Sequence, residues 1–380
     1  MPLAGAGTTK FAIFSGVFWL ALAPLQAQTV KPEIVASGLQ NPWGLAFLPE
    51  GRFLVTERPG RMRVVEADGK VNAPLAGLPA IAAGGQGGLL DVLLDADFAK
   101  NRSLYFCYSE PAASAEGGNS TALARATLSA DRSKLENLKV IFSQQPKVAS
   151  GAHFGCRIVE TKDGKLLMTL GDRFSRKDDA QTLDTHHGKT IRIHKDGSVP
   201  PDNPFVGKAG ALPEIWSYGH RNPQGATQAP DGTYWTVEHG PQGGDELNRP
   251  LPGKNYGWPV IGYGVNYGGG KIGDGITQKA GMEQPVHYWV PSIAPSGMAF
   301  LTSDRYGAAM KGNLFVGSLK FNYLDRIELS EPFKGKVVRE SKLLADLGQR
   351  VRDVRQGPDG LLYVLTDAGN GRLVRLLPAP

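Results

Sequence analysis

The stretch Val351–Asp367, VRDVRQGPDGLLYVLTD, contains the pattern that decides the fold. Two short apolar segments flank a Pro-Asp-Gly turn, and this arrangement predicts a β-hairpin because Asp-Gly accepts the backbone angles of a tight turn. The second segment ends at a polar residue, Asp367. An isolated hairpin is too small to be stable in water, so the fold depends on whether the pattern recurs.

The same pattern occurs five more times along the chain. The other predicted hairpins are Gly44–Glu57, Leu89–Glu110, Cys156–Asp172, Gly225–Gly240 and Gly297–Leu319. Amphipathic helical periodicity is nearly absent, so no helices are predicted to cover a parallel sheet. Six repeated hairpins predict an all-β chain folded as a six-bladed β-propeller with long inter-strand loops. A β-sandwich of several sheets is the alternative, but it gives no reason for the unit to repeat six times.

The composition is that of a globular protein. Of the 380 residues, 41% are hydrophobic and 21% are charged, which is enough apolar content to bury a large core. The formal net charge of +6 comes from lysines and arginines that are interleaved with acids. This distribution disfavours a nucleic-acid-binding surface, but it is compatible with a small anionic ligand.

The first 27 residues differ from the rest. Lys10 precedes the apolar run FAIFSGVFWLALA, which has the length of the central region of a signal peptide and is too short to span a bilayer. Ala27 is a small residue suited to cleavage. We therefore predict a secretory signal peptide over residues 1–27, a mature chain that begins near Gln28, and a single propeller domain over residues 28–380. The mature protein is expected to be periplasmic or secreted and not embedded in a membrane.

Cys107 and Cys156 are the only cysteines in the sequence. An oxidising compartment permits a disulfide between them. Two buried free thiols are the alternative, and the sequence does not decide between the two.

Polar residues stand at equivalent ends of the predicted hairpins. If the hairpins superimpose in a propeller, these ends meet at the central channel. The residues concerned are Gln86, His153, Asp172, Arg221, Asn222, Gly240, Pro241, Lys320, Arg350 and Arg352. Gathering several cations in one cavity is costly unless they are paired. The set therefore predicts a small, planar, polyanionic ligand.

At these residues the sequence resembles the soluble aldose sugar dehydrogenases that depend on pyrroloquinoline quinone (PQQ), a family that includes glucose and sorbosone dehydrogenases. Ordered motifs carry the resemblance over nearly the whole mature chain: NPWGLAFLPEGRFLVTER, GQGGLLDV, HFGCRI, LGDR, GHRNPQGA, EHGPQGGDELN, GKNYGWP, PSIAPSGMAF, GSLK and RVRDV. The resemblance implies a propeller with PQQ and Ca²⁺ at its centre. It also implies oxidation of aldoses at the anomeric carbon to lactones, with hydride transfer to PQQ and reoxidation by an external electron acceptor.

The resemblance implies a role for each site residue. His153 would be the general base, Asp172 would orient it, and Arg221 would polarise the quinone carbonyl. Taken alone, His153 could equally be a hydrogen-bonded turn residue, and Asp172 a turn or strand-end cap. The implied cofactor-binding residues are Gln86, Arg221, Asn222, Ser292, Lys320, Arg350 and Arg352. The implied Ca²⁺ ligands are the main-chain carbonyls of Gly240 and Pro241.

Two other functions fit a secreted propeller. A calcium-dependent lactonase would need carboxylate and asparagine side chains around its metal, and it has no use for three cations together at Lys320, Arg350 and Arg352. A non-enzymatic recognition propeller would not need a complete set of cofactor-binding residues. We expect a small aldose substrate, no nucleic-acid partner, and a monomer or dimer.

Overall fold

Six four-stranded antiparallel sheets make up the computed structural model, which describes residues 1–2, 30–113 and 117–379. Strand β1 (Val30–Leu39) begins the second of these ranges and belongs to the last sheet. Each sheet is called a blade and is numbered in chain order. The predicted signal peptide, residues 1–27, lies almost wholly outside the described residues and stays a prediction.

The blades follow one another along the chain. Blade 1 contains β2 (Pro42–Phe47), β3 (Phe53–Glu57), β4 (Arg61–Val65) and β5 (Val71–Pro74). Blade 2 contains β6 (Leu89–Leu94), β7 (Ser103–Pro111), β8 (Asn119–Leu128) and β9 (Leu135–Ser143). Blade 3 contains β10 (Gly155–Glu160), β11 (Leu166–Leu170), β12 (Lys189–Ile193) and β13 (Ile215–Tyr218).

The second half of the chain repeats this order. Blade 4 contains β14 (Pro223–Gln228), β15 (Tyr234–Glu238), β16 (Asp245–Asn248) and β17 (His287–Trp289). Blade 5 contains β18 (Pro295–Phe300), β19 (Leu314–Ser318), β20 (Leu324–Glu331) and β21 (Lys334–Leu343). Blade 6 contains β22 (Val351–Gln356), β23 (Leu362–Thr366), β24 (Gly371–Pro378) and β1. The helical elements of the described residues are α1 (Phe98–Asn101) and 3₁₀ turns at Pro49–Gly51, Lys177–Gln181 and Ala345–Leu347.

All six predicted hairpins are confirmed, and each forms the two innermost strands of one blade. The first strands of neighbouring blades contact one another in a closed ring, which confirms the six-bladed β-propeller. These inner strands are almost entirely buried because blades cover both of their faces. Close approach needs a glycine in places: a Cβ on Gly225 in β14 would lie 2.2 Å from the carbonyl oxygen of Ser296 in β18.

One connection closes the ring, and a second fastens two neighbouring blades together. Strand β1 pairs with β24 from Val30–Pro378 to Leu39–Gly371, so the N-terminal strand completes the C-terminal blade by hydrogen bonds. A disulfide joins Cys107 in β7 to Cys156 at the start of β10 and so links blades 2 and 3. This pairing resolves the alternative that the sequence left open.

Four charged side chains, three of them buried and the fourth partly exposed, lie at the axis of the propeller. Arg157 in β10 bonds to Asp353 at 2.9 Å and to Asp91 at 3.3 Å. Arg355 bonds to the same two carboxylates, at 3.0 Å and 2.7 Å. Each of the two cations lies within ion-pair distance of both anions, so the charges of the group balance. We call these four residues the axial quartet, and they separate the two ends of the channel.

Among the residues that the structure describes, none of the helices has the length and apolar character needed to cross a bilayer.

Candidate active site

A cavity of about 300 Å³ opens at the end of the ring where the inner strands begin. Its lining contains three arginines and one carboxylate, so the cavity favours an anionic ligand. The lining residues are Trp43, Arg58, Gly85, Gln86, Gln224, His239, Leu319, Arg350, Arg352 and Asp367. A second cavity of about 420 Å³ lies at the opposite end of the inner strands, but Arg355 is the single charged residue among its described lining.

The blade geometry explains why the predicted residues meet. The start of each inner strand and the end of its antiparallel partner lie at the same end of the blade. Every inner strand also has a β-bulge or register shift near its start, as between Gly155 and Ile158 in β10 or Val351 and Asp353 in β22. Bulges re-aim side chains beside active sites, and here all six blades carry one next to the cavity.

His153 and Asp172 form a buried pair at this end of blade 3. The imidazole Nδ1 of His153 lies 2.6 Å from Oδ1 of Asp172. The other carboxylate oxygen accepts a hydrogen bond of 2.7 Å from the indole Nε1 of Trp258. The backbone N–H of His153 donates to the side-chain oxygen of Gln86, which lines the cavity. The predicted association of His153, Asp172 and Gln86 is therefore present in the structure.

The protonation states of this pair follow from their surroundings. Burial lowers the pKa of His153; the hydrogen bond to Asp172 opposes this effect, and the charge of Arg221 reinforces it. Burial would raise the pKa of Asp172, but its hydrogen bond with His153 brings it below the ordinary value. An ionised carboxylate only accepts, so the proton of neutral His153 is on Nδ1. Nε2 then carries a lone pair, and it makes no hydrogen bond within the described part of the chain.

Arg221 is a buried cation with unused hydrogen-bonding capacity. It forms no ion pair with a carboxylate among the described residues. One guanidinium nitrogen donates to the carbonyls of His239 and Gly240 at 3.1 and 2.9 Å. Its Nε is buried without an acceptor, and its charge lies 5.3 Å from the ring of Trp258. A buried donor with no acceptor indicates a missing ligand atom or water.

The neighbouring Asn222 shows the same feature. Its Oδ1 accepts from the backbone N–H of Gly155 and from Gln224, whereas its Nδ2 is buried without a partner. The carboxylate of Glu238 holds this segment in place: one oxygen accepts from the Arg221 backbone N–H at 2.7 Å and the other lies 2.9 Å from His220. Unused donors on two consecutive residues therefore belong to an ordered, rigid turn.

The predicted cations lie at the cavity with different degrees of burial. Arg352 is buried, and burial lowers its pKa to about 10 despite its 2.9 Å ion pair with Asp367. Arg350 is half exposed and shares the same carboxylate at 3.1 Å. Lys320 is exposed, directly after the lining residue Leu319, and has no carboxylate partner among the described residues. One carboxylate thus serves two arginines, which leaves positive charge for a ligand.

The predicted metal ligands lie in a small cleft beside Arg221 that also contains His239. The carbonyl of Gly240 accepts from Arg221, whereas the carbonyl of Pro241 receives no hydrogen bond from the described residues. The carboxylate of Asp245 is not free to bind a metal ion beside Gly240 and Pro241. It accepts from the backbone of Gly240, Ile293 and Ala294 and from Ser292 Oγ.

The side chain of Ser292, another predicted cofactor-binding residue, is already hydrogen-bonded to a neighbour. Its hydroxyl is engaged by Asp245 at 2.8 Å, and it is not among the residues that line the cavity. Trp258 and Asp367 were not among the predicted site residues. Trp258 lies in the quoted motif GKNYGWP, and Asp367 ends the hairpin of blade 6. Both residues could therefore have been identified as site candidates from the sequence.

Known proteins resemble this chain over most of its length. Residues 39–375 match the family model described as Glucose / Sorbosone dehydrogenase. The chain belongs to this family. It is similar to aldose sugar dehydrogenase YliI of Escherichia coli strain K12, with 45% identity over 368 residues that cover 96% of each chain. The resemblance inferred from the sequence is confirmed, and the chain is an oxidoreductase of the sugar dehydrogenase class.

Solved structures of family members share the fold. The apo-form of the soluble aldose sugar dehydrogenase from Escherichia coli is 44% identical, covers 92% of this chain and 100% of its own, and superposes with a TM-score of 0.88. The PQQ-bound form of an aldose sugar dehydrogenase from Streptomyces coelicolor is 27% identical, covers 92% and 98%, and gives a TM-score of 0.75. The family therefore includes a member with PQQ bound.

Proposed function

We propose that this family member oxidises aldose sugars at the anomeric carbon to lactones, with PQQ and Ca²⁺ as cofactors. The observation that carries the proposal is the position of His153, which lies against Asp172 with its Nε2 free of hydrogen bonds from the described residues, beside an arginine-lined cavity. A base and an anion-binding cavity are the two parts that such a reaction requires. The PQQ-bound relative supports the identity of the anion.

The residues fit the carboxylates of PQQ. Arg350 and Arg352 are forked donors that share one aspartate, and Lys320 has no carboxylate partner among the described residues. Charge-assisted hydrogen bonds from such cations to carboxylates are strong and geometrically specific. The buried, unused Nε of Arg221 and Nδ2 of Asn222 would find acceptors on the same ligand. When bound, PQQ would supply the two-electron acceptor for the hydride that leaves C1.

The residues also accommodate Ca²⁺. A hard cation prefers oxygen ligands, including main-chain carbonyls, and the carbonyl of Pro241 is free of donors within the described residues. Gly240 would add a second carbonyl from the same turn. Among the described side chains, no group of three or more His, Cys, Asp or Glu residues could hold a metal, so such a site would depend on backbone and cofactor oxygens.

The chemistry of the chain centres on His153. Its Nε2 would take the proton of the C1 hydroxyl as the C1–H bond breaks and the C1=O bond forms, giving the lactone. Asp172 would stabilise the imidazolium and keep the ring in the productive tautomer. Trp258 holds the second oxygen of Asp172, so the carboxylate cannot rotate away. Arg221 would stabilise negative charge that develops on the oxygen of the acceptor.

The alternative of a calcium-dependent lactonase lacks support in the cavity. Its described lining has three arginines and a single carboxylate, Asp367, which is already paired with two of them. Periplasmic or secreted location, an external electron acceptor, and a monomeric or dimeric state complete the proposal.

Reconstitution of the purified mature protein tests this function. We expect dye reduction with a panel of aldoses only after addition of both PQQ and Ca²⁺, and formation of the corresponding lactone. Omission of PQQ and chelation of Ca²⁺ are the matched controls. Absence of aldose oxidation with both cofactors bound would contradict the proposal, and hydrolysis of added lactones instead would support the lactonase.

A further inference from the structure

Phe174 is a half-exposed aromatic residue close to the pair formed by His153 and Asp172. Its side chain is 53% exposed although it is large and apolar. It lies two residues after Asp172, and it belongs to none of the apolar cores between the described blades. Core packing therefore does not explain why an aromatic ring stands at this position.

The backbone that carries Phe174 is strained. Arg173 and Phe174 have φ angles of 59° and 63°, in the left-handed region that residues with a Cβ rarely adopt. Two such residues in succession persist only where surrounding contacts impose the conformation. Strain of this kind is stored preferentially at functional sites.

Contacts of both Arg173 and Phe174 hold the backbone in this conformation. The buried guanidinium of Arg173 donates to the carbonyls of Ala152, Ser150 and Asn119 and stacks 3.9 Å from the ring of Phe154. The backbone N–H of Phe174 donates at 2.8 Å to Asp172 Oδ1, the oxygen that also binds His153. The position of the Phe174 ring is therefore tied to the catalytic pair itself.

The Phe174 ring contacts the imidazole of His153, the proposed base. Its centroid lies 5.3 Å from that of the His153 imidazole, with the two planes 75° apart. An edge-to-face contact leaves much of the Phe174 ring exposed to solvent next to the imidazole. An apolar surface in that place would meet whatever molecule presents its hydroxyl to His153.

We propose that Phe174 is a specificity-determining residue whose exposed ring contacts the apolar C–H face of a pyranose while its C1 hydroxyl lies at His153. This inference rests on the proposed function. A pyranose has a face of C–H bonds that packs on an aromatic ring, whereas a short acyclic aldehyde hydrate does not. Phe174 thereby selects for cyclic aldoses over small hydroxy-aldehydes.

The test compares Phe174→Ala and Phe174→Tyr in the reconstituted holoenzyme, with Tyr288→Ala as a matched control. Tyr288 is also a half-exposed aromatic, but it stacks on Tyr263 and not on His153. The substrates are glucose and glyceraldehyde. We expect Phe174→Ala to raise KM for glucose about fivefold to tenfold, with kcat and the affinity for PQQ little changed, and to leave KM for glyceraldehyde unaltered.

The variants separate ring contact from folding. Phe174→Tyr keeps the ring and is expected to retain a KM for glucose near that of the wild type, as is Tyr288→Ala. An unchanged KM for glucose in Phe174→Ala, or equal losses for both substrates, overturns this inference and leaves the proposed function intact. A wild-type holoenzyme that oxidises no sugar would overturn both.

Discussion

Replacing His153 by glutamine removes the proposed base with little change in packing. Glutamine can donate its side-chain N–H to Asp172 in place of the imidazole Nδ1–H, which lies 2.6 Å from that carboxylate. The backbone N–H of residue 153 would still donate to Gln86. What is lost is the Nε2 lone pair, because an amide is not basic. The variant therefore isolates proton transfer from the binding of cofactors.

The expected loss of kcat is about 10²- to 10⁴-fold, the usual contribution of a positioned general base. This range corresponds to roughly 2.7–5.4 kcal/mol of transition-state stabilisation. Affinity for PQQ and Ca²⁺ should stay near the wild-type value, since the arginines and the carbonyls that would hold them are untouched. His153→Gln is therefore expected to bind both cofactors normally but to turn over slowly.

The assay combines steady-state kinetics with PQQ titration, and the chain offers a matched control. His187 also lies close to an aspartate, with its Nδ1 2.8 Å from Asp179, but its Nε2 is hydrogen-bonded to the Pro146 carbonyl. His187→Gln should lower the free energy of unfolding while leaving kcat per folded, cofactor-loaded enzyme unchanged. The comparison distinguishes a catalytic histidine from a structural one, since each of the two is paired with an aspartate of its own.

The same role fixes the pH dependence. Wild-type kcat/KM should fall as the pH drops through the pKa of His153, because the protonated ring has no lone pair. Burial lowers this pKa, so the acid limb should lie below the ordinary histidine value of about 6.5. His153 is not the base if His153→Gln keeps near-native kcat with saturating cofactors, or if its residual activity shows the same acid limb.

Three further outcomes follow from the geometry. Asp172→Asn should reduce kcat less than His153→Gln and shift the acid limb to lower pH, because a negative charge beside the imidazole is lost; a pH–rate profile that does not move would contradict this. Arg352→Ala should weaken PQQ binding by roughly 1.5–3 kcal/mol, the scale of a hydrogen bond to a charged group, measured by titration of the apoprotein; unchanged affinity would remove the charge-pairing argument. Asp91→Asn should lower the free energy of unfolding by roughly 3–5 kcal/mol in urea, because Arg157 and Arg355 would be left with one carboxylate; a loss under about 1 kcal/mol would show that the axial quartet is not stabilising.

The inner half of every blade could be predicted from the sequence, whereas the outer half could not. Inner strands such as β18, PSGMAF, are buried along their whole length between Asp-Gly or longer turns, so the hairpin is visible locally. Outer strands such as β21, KGKVVRESKL, are mostly exposed and carry many charges, and their pairing depends on a neighbour that already exists. The closure of blade 6 by β1 joins residues more than 330 positions apart and has no local signature.

The site residues likewise include some that could be predicted from the sequence and some that could not. Residues at hairpin ends, such as His153, Asp172 and Arg352, could be predicted because the repeat places those ends together. Trp258 was missed because its hydrogen bond to Asp172 spans 86 residues and comes from a long loop of blade 4. The axial quartet was missed because its members lie inside inner strands, where alternating charge looks like an exposed face. Burial between blades is a property of the assembled ring.

The proposed function requires that PQQ binds in this cavity and accepts the hydride of an aldose C1–H bond while His153 takes the proton. An anaerobic single turnover of the reconstituted protein with glucose, protiated or deuterated at C1, measures that step directly. We expect one lactone formed per quinone reduced, slower reduction with the deuterated sugar, and very slow reduction in His153→Gln with PQQ still bound. Quinone reduction that is independent of sugar, or as fast in His153→Gln as in the wild type, would contradict it.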